Sequence, residues 1–118
     1  MNKLALSIRT AIERGLKRFD LPACEASIRL LLMIAAHESQ GFRFLRQMAG
    51  GPALSPFQIE PPTYGFTMGY LERTRKFPAM NTKWPVFRLV TDLEFAAAVA
   101  RVYLWTEPTP LPDADDLE

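Results

Sequence analysis

Apolar residues at the start of the chain recur at steps of three and four: Leu4, Ile8, Ala11, Ile12, Leu16 and Phe19. Residues so spaced share one face of an α-helix, and Arg9, Glu13, Lys17 and Arg18 take the other faces. The pattern predicts an amphipathic helix over residues 2–19 that covers a core. Asp20-Leu21-Pro22 reads as the start of a second helix, with Pro22 in the first turn, where a missing N–H leaves nothing unpaired. Glu25 and Arg29 stand four apart with the acid first, the more favourable order. From Leu30 to Ala36 the chain is apolar on every side, which predicts a helix in the middle of the domain, stopped near Gly41.

The helical period then breaks at Gly41, Gly50, Gly51, Pro52, Pro56, Pro61 and Pro62. Phe57-Gln58-Ile59, caught between breakers, predicts one short extended segment with Phe57 and Ile59 on the core side and Gln58 opposite. Pro61-Pro62 suits a helix start, and Thr63 to Arg75 can hold a helix despite Gly65 and Gly69. Residues Phe77 to Phe87, with Pro78 and Pro85, read as loop. Thr91-Asp92-Leu93-Glu94 has the form of a capping box, and Phe95, Val99, Val102 and Tyr103 continue a helical face to about Trp105. The fold class expected is mainly α, a single domain over residues 1–106, with at most a small β segment near residues 55–60. Residues 107–118 carry three prolines, five acids and no base, the composition of a loosely ordered tail.

Composition narrows the picture in three ways. A chain of 118 residues suits one domain, and 48% apolar content is enough for a real core. No apolar run approaches the roughly 18 residues a membrane span needs, since Ile28 to Ala36 is short and contains Arg29, so no membrane partner is expected. The apolar stretch Leu4 to Ile8 is also too short for a signal peptide. A chain made in the cytoplasm would then reach an outside target by some other delivery. Cys24 and His37 are single, which excludes an intrachain disulfide, a cysteine-based zinc site and the two-histidine metal motifs; neither a metal nor a cofactor is expected. The net charge of +1 conceals a body with fourteen bases against eight acids, +6, ahead of the acidic tail. A basic body suits an anionic partner. Nucleic acid is not the expected one, because neither a Lys/Arg run nor a nucleic-acid motif is present; a helical nucleic-acid binder is the weakest reading.

Glu38 is the candidate catalytic group. It follows an apolar helix and stands at that helix's C-terminal end, where both desolvation and the negative end of the helix dipole disfavour a carboxylate. A carboxylic acid that keeps its proton near neutrality is what glycosidic cleavage requires of a general acid. The alternative is an exposed glutamate just past the helix end.

The segment His37-Glu38-Ser39-Gln40-Gly41, followed by Gly50-Gly51-Pro52-Ala53-Leu54-Ser55-Pro56-Phe57-Gln58-Ile59-Glu60-Pro61, resembles the soluble lytic transglycosylase family of the lysozyme superfamily, and within it a phage-associated branch. Glu38-Ser39 matches the Glu-Ser pair that ends a buried helix in that family. Ser55-Pro56-Phe57-Gln58 with Pro61 matches its Gly-Leu-Met-Gln-like segment, and Tyr103-Leu104 its helix ending in a Tyr-Leu pair. The resemblance spans residues 25–105 and implies a lysozyme-like α domain that cleaves peptidoglycan between N-acetylmuramic acid and N-acetylglucosamine, as a transglycosylase or a muramidase. Glu38 would be acid and then base. Ser39 would position Glu38 or the substrate, unless it merely caps the helix end. Gln58 would bind an N-acetyl group. Tyr64 and Tyr103 are the aromatics best placed to stack on sugar rings, with core packing as the alternative for each; Phe66, Tyr70 and Trp84 are further candidates. Glu60, the only acid between residues 39 and 71, is the candidate second carboxylate, although ahead of Pro61-Pro62 it can simply serve the helix N-terminus.

The chain departs from the family in two places. Ser55-Pro56 replaces Gly-Leu, which reshapes the cleft wall. The family also continues to an Ala-Tyr-Asn-Gly-like motif, where this chain has its proline-rich tail, so the domain is short, the chain is truncated, or Tyr103 substitutes. The expected partners are peptidoglycan glycan strands and other virion proteins, after delivery by a virion or a lysis system. The competing reading is an inactive lysozyme-like structural or glycan-binding module of a virion.

Overall fold

The computed structural model describes residues 3–38, 56–80 and 83–106, with Glu38 described by its backbone alone. Five helices follow one another: α1 (Lys3–Arg18), α2 (Glu25–Glu38), α3 (Pro61–Thr74), α4 (Arg88–Thr91) and α5 (Leu93–Trp105). The expected mainly α class is the one observed, and β structure among the described residues is confined to a bridge at Ile59. None of the described helices is long and apolar enough to cross a membrane.

Helix α1 follows its period closely. Ile8, Ile12, Leu16 and Phe19 are buried, whereas Leu4, at the frayed end of the stripe, is 41% exposed. The helix does not lead straight into the next one. Asp20 adopts a left-handed conformation (φ 53°), and the Leu21 N–H donates to the Leu16 carbonyl at 2.9 Å while Asp20 N–H donates to that of Lys17 at 3.2 Å. This pair of bonds is a Schellman ending, which satisfies the last carbonyls of α1. Asp20-Leu21-Pro22 therefore closes α1 and does not open α2, correcting the expected boundary. Helix α2 begins at Glu25, behind a turn in which Ser27 Oγ accepts from the Cys24 N–H at 3.1 Å and donates to the Cys24 carbonyl at 2.9 Å. Glu25 binds Arg9 of α1 at 2.7 Å.

The central helix is α5, not α2. Every residue from Phe95 to Val102 is buried, and α5 packs against each of the other four helices. Helix α2 buries Ile28, Leu31 and Ala35 on one side and leaves Met33 46% exposed on another. The reason is bulk. Ala96, Ala97, Ala98 and Ala100 give α5 a thin surface that neighbours can approach from all directions, whereas the bulkier leucines and isoleucines of α2 reach the core from its flank and leave Met33 outside. The backbones of α1 and α5 come close at Gly15, where a side-chain carbon would overlap the carbonyl oxygen of Glu94 and sit 3.2 Å from its Cα.

The start of α5 is capped by Asp92, whose carboxylate accepts from the Phe95 N–H at 3.0 Å. Thr91, expected to cap, instead ends α4, a short helix, just past the Phe77 to Phe87 segment, that the sequence pattern does not predict. Asp92 also binds Arg18 and Arg88, each at 3.0 Å. Burial works against its charged form, but the Phe95 N–H and the two guanidinium groups outweigh that and hold its pKa below the ordinary 3.8. A depressed folded pKa contributes stability that is present above the unfolded value and lost as pH falls through the folded one. Asp92→Ala is accordingly expected to lower stability by about 1–2 kcal/mol at pH 7. Its deficit against the parent chain should shrink progressively below pH 3.8. Parallel denaturant titrations across that range check this; a deficit that grew in acid would be the wrong sign.

Candidate functional site

Helix α3 starts where its prolines put it. Pro61 and Pro62 occupy the first turn, and Glu60 is the N-cap residue with extended backbone (φ −81°, ψ 151°) and no side-chain capping bond. The carboxylate of Glu60 is thus not consumed by the helix end. Immediately before it, residues 56–58 form a turn instead of the expected extended segment. Phe57 and Ile59 are buried and Gln58 is half-buried, so the in-out distribution is the expected one, but a bent backbone produces it. Gln58 has φ 51°. The two other non-glycine residues in this left-handed region among the described residues, Asp20 and Arg75, terminate helices, and Arg75 donates its N–H to the Leu71 carbonyl at 2.8 Å in the usual way. Gln58 precedes a helix, so helix termination does not account for its conformation. A non-glycine residue held there is strained by about 1–2 kcal/mol, and strain of this kind clusters at functional sites.

Gln58 stands on the wall of a cleft of about 400 Å³. That is within the size range of small-molecule sites. The turn and the start of α3 form one side through Phe57, Gln58, Ile59, Glu60 and Thr63. Helix α5 forms another through Ala100, Tyr103 and Leu104, and Ile34 of α2 adds to the lining among the described residues. Three residues proposed from the sequence, Gln58, Glu60 and Tyr103, therefore meet in one place. Glu38 is the last residue of α2 and falls four positions, one helical turn, after Ile34. Its side chain and Ser39 lie outside the described residues, as do the Gly50 to Ser55 positions of the second motif.

Tyr64 does not join this group. It is buried, donates its hydroxyl to the Trp84 carbonyl at 2.6 Å, and packs edge-on against Phe95 at 6.2 Å. Burial raises its pKa, which keeps it a hydrogen-bond donor. It ties α3 to the segment before α4 and has no surface left for a sugar. Trp84 is likewise occupied, by the Arg88 guanidinium at 3.4 Å from its ring centre. Phe66 stands differently: it is 53% exposed and meets Tyr103 edge-on at 6.2 Å. Thr63 and Ala100 are cleft residues that motif reading does not reach, because nothing in their local pattern separates them from ordinary helix positions. Among the described residues no cluster of His, Cys, Asp and Glu has the makings of a metal site. Comparison with protein-family models, curated proteins and solved structures finds no match for this chain.

The backbone of Gln58 supplies a test that separates strain from chemistry. Gln58→Gly removes the steric cost of this conformation, because glycine adopts φ 51° freely. Gln58→Ala should be about 1 kcal/mol less stable than Gln58→Gly. Thermal melts of the two variants check the order. If the amide is needed for substrate, both variants lose binding equally despite their different stabilities.

Proposed function

We propose that this chain cleaves the glycosidic bond between N-acetylmuramic acid and N-acetylglucosamine in peptidoglycan, with Glu38 as the catalytic acid. One juxtaposition supports the reading above all: Gln58, Glu60 and Tyr103, each singled out by the sequence, share a cleft whose α2 wall, Ile34, lies one helical turn before Glu38. In this mechanism the carboxylic acid of Glu38 gives its proton to the glycosidic oxygen as the bond from C1 to that oxygen breaks. The resulting carboxylate then takes the proton of the muramyl C6 hydroxyl as O6 bonds to C1, leaving a 1,6-anhydro sugar and consuming no water. Gln58 holds the N-acetyl group, and Ser39 positions the acid. No cofactor is required. The substrate is wall glycan, reached through delivery by a virion or a lysis system.

The uncapped carboxylate of Glu60 favours a second outcome at the same site. A second carboxylate can activate water or act as nucleophile, which gives hydrolysis and a reducing end. Digestion of purified sacculi followed by mass spectrometry distinguishes the two. Anhydro-muropeptides are expected from the transglycosylase and reducing muropeptides from the hydrolase. Sacculus binding without release of either would sink the enzyme and leave an inactive glycan-binding module.

A further inference from the structure

We infer that Phe66, together with Tyr103, forms an aromatic ledge that extends the cleft and binds a second pyranose ring of the glycan strand, an inference that rests on the proposed peptidoglycan reading. Single exposed apolar side chains are ordinary on a protein surface. Phe66 is not placed as a single one. It is 53% exposed, Tyr103 is 38% exposed, and their ring centres stand 6.2 Å apart with planes at 84°. Edge-to-face contact holds both rings in a defined orientation across α3 and α5 while leaving aromatic surface to solvent. Tyr103 is itself a cleft residue, and Phe66 follows the cleft residue Thr63 by three positions, on the same face of α3. The ledge is therefore continuous with the cleft.

The mixture of groups selects the occupant. An apolar peptide helix would want a groove of aliphatic side chains. Here a pair of aromatic rings borders an amide at Gln58, a hydroxyl at Thr63 and a carboxylate at Glu60. A pyranose has an apolar face of C–H groups, whose weak positive charge suits the negative face of an aromatic ring, and a rim of hydroxyl and N-acetyl groups that needs polar partners. A strand of linked N-acetylhexosamines presents both along its length, so one ring can sit at the Gln58 end while the next lies on the ledge.

The test uses the full chain and β-1,4-linked N-acetylglucosamine oligomers, the dimer and the tetramer, with calorimetry for affinity and sacculus digestion for turnover. The parent is expected to bind the tetramer more tightly than the dimer. Phe66→Ala should weaken tetramer binding roughly three- to tenfold and erase most of that length dependence. Phe66→Trp should restore it. Because Phe66 is exposed, the variants should melt with the parent, and a thermal scan verifies this. Tetramer binding by Phe66→Ala equal to the parent's would overturn the ledge, even if sacculi are still cleaved. Phe66-dependent oligomer binding without any sacculus cleavage would uphold the ledge and reject the reaction. Failure of the parent to bind either oligomer would overturn the ledge.

Discussion

Replacing Glu38 with glutamine is expected to reduce release of muropeptides from sacculi by about 10²- to 10⁴-fold, the range typical of losing a general acid. The substitution keeps the size and hydrogen-bonding reach of the side chain and removes only the transferable proton. Binding of glycan oligomers should persist, so the loss should appear in kcat and leave KM nearly unchanged. Glu60→Gln is the informative companion. If the site closes the 1,6-anhydro ring, Glu60 is dispensable and turnover changes little; if water is the acceptor, the same substitution should be nearly as damaging as Glu38→Gln. Full activity in Glu38→Gln would remove this residue from the chemistry, and with it the reason for reading the cleft as a glycosidase site.

Phe95→Ala is expected to destabilise the fold by about 3–5 kcal/mol, a large part of what a domain of this size has. Phe95 is fully buried near the start of α5. Its ring takes edge contacts from Phe19 at 5.9 Å, Tyr64 at 6.2 Å and Trp84 at 6.4 Å, and the Arg88 guanidinium stands 5.2 Å from its centre. Removing it opens a cavity where α1, α3 and the segment before α4 meet α5, and three aromatic neighbours lose a partner together. At roughly 4–8 °C per kcal/mol for a domain near 100 residues, the melting temperature should fall by more than 12 °C. Phe95→Leu, which keeps most of the volume, should cost about 1–2 kcal/mol. Denaturant titration measures both, and a loss under 1 kcal/mol for the alanine variant would mean that Phe95 is not the centre of the core.

The contrast between Phe95 and Phe66 explains how much could be read in advance. Both are phenylalanines in helices; the spacing of Phe95, Val99 and Val102 marks a helical face for the first, and no such spacing places the second. Phe95 is central because the alanines that follow it let three elements close over it; Phe66 stays at the surface, where it meets Tyr103 of another helix edge-on. Tyr64 and Tyr103 divide in the same way. Each is a tyrosine near a motif, but the carbonyl of Trp84 claims the first hydroxyl, and the second ring is left on the cleft wall.

By itself the sequence determined where chain and solvent alternate. The period of Ile8, Ile12, Leu16 and Phe19 was sufficient for α1, two prolines for the start of α3, and the apolar run ending at Trp105 for α5, because each rests on local geometry that a helix imposes on its own residues. Only the tertiary structure decided which helix takes the middle, since that depends on the bulk each can bring to a shared core: the alanines of α5 win over the larger side chains of α2. It also decided that Gln58 turns left-handed, and that it meets Tyr103 across 45 residues of chain. Such meetings are made by long-range packing, about which spacing along the chain carries no information.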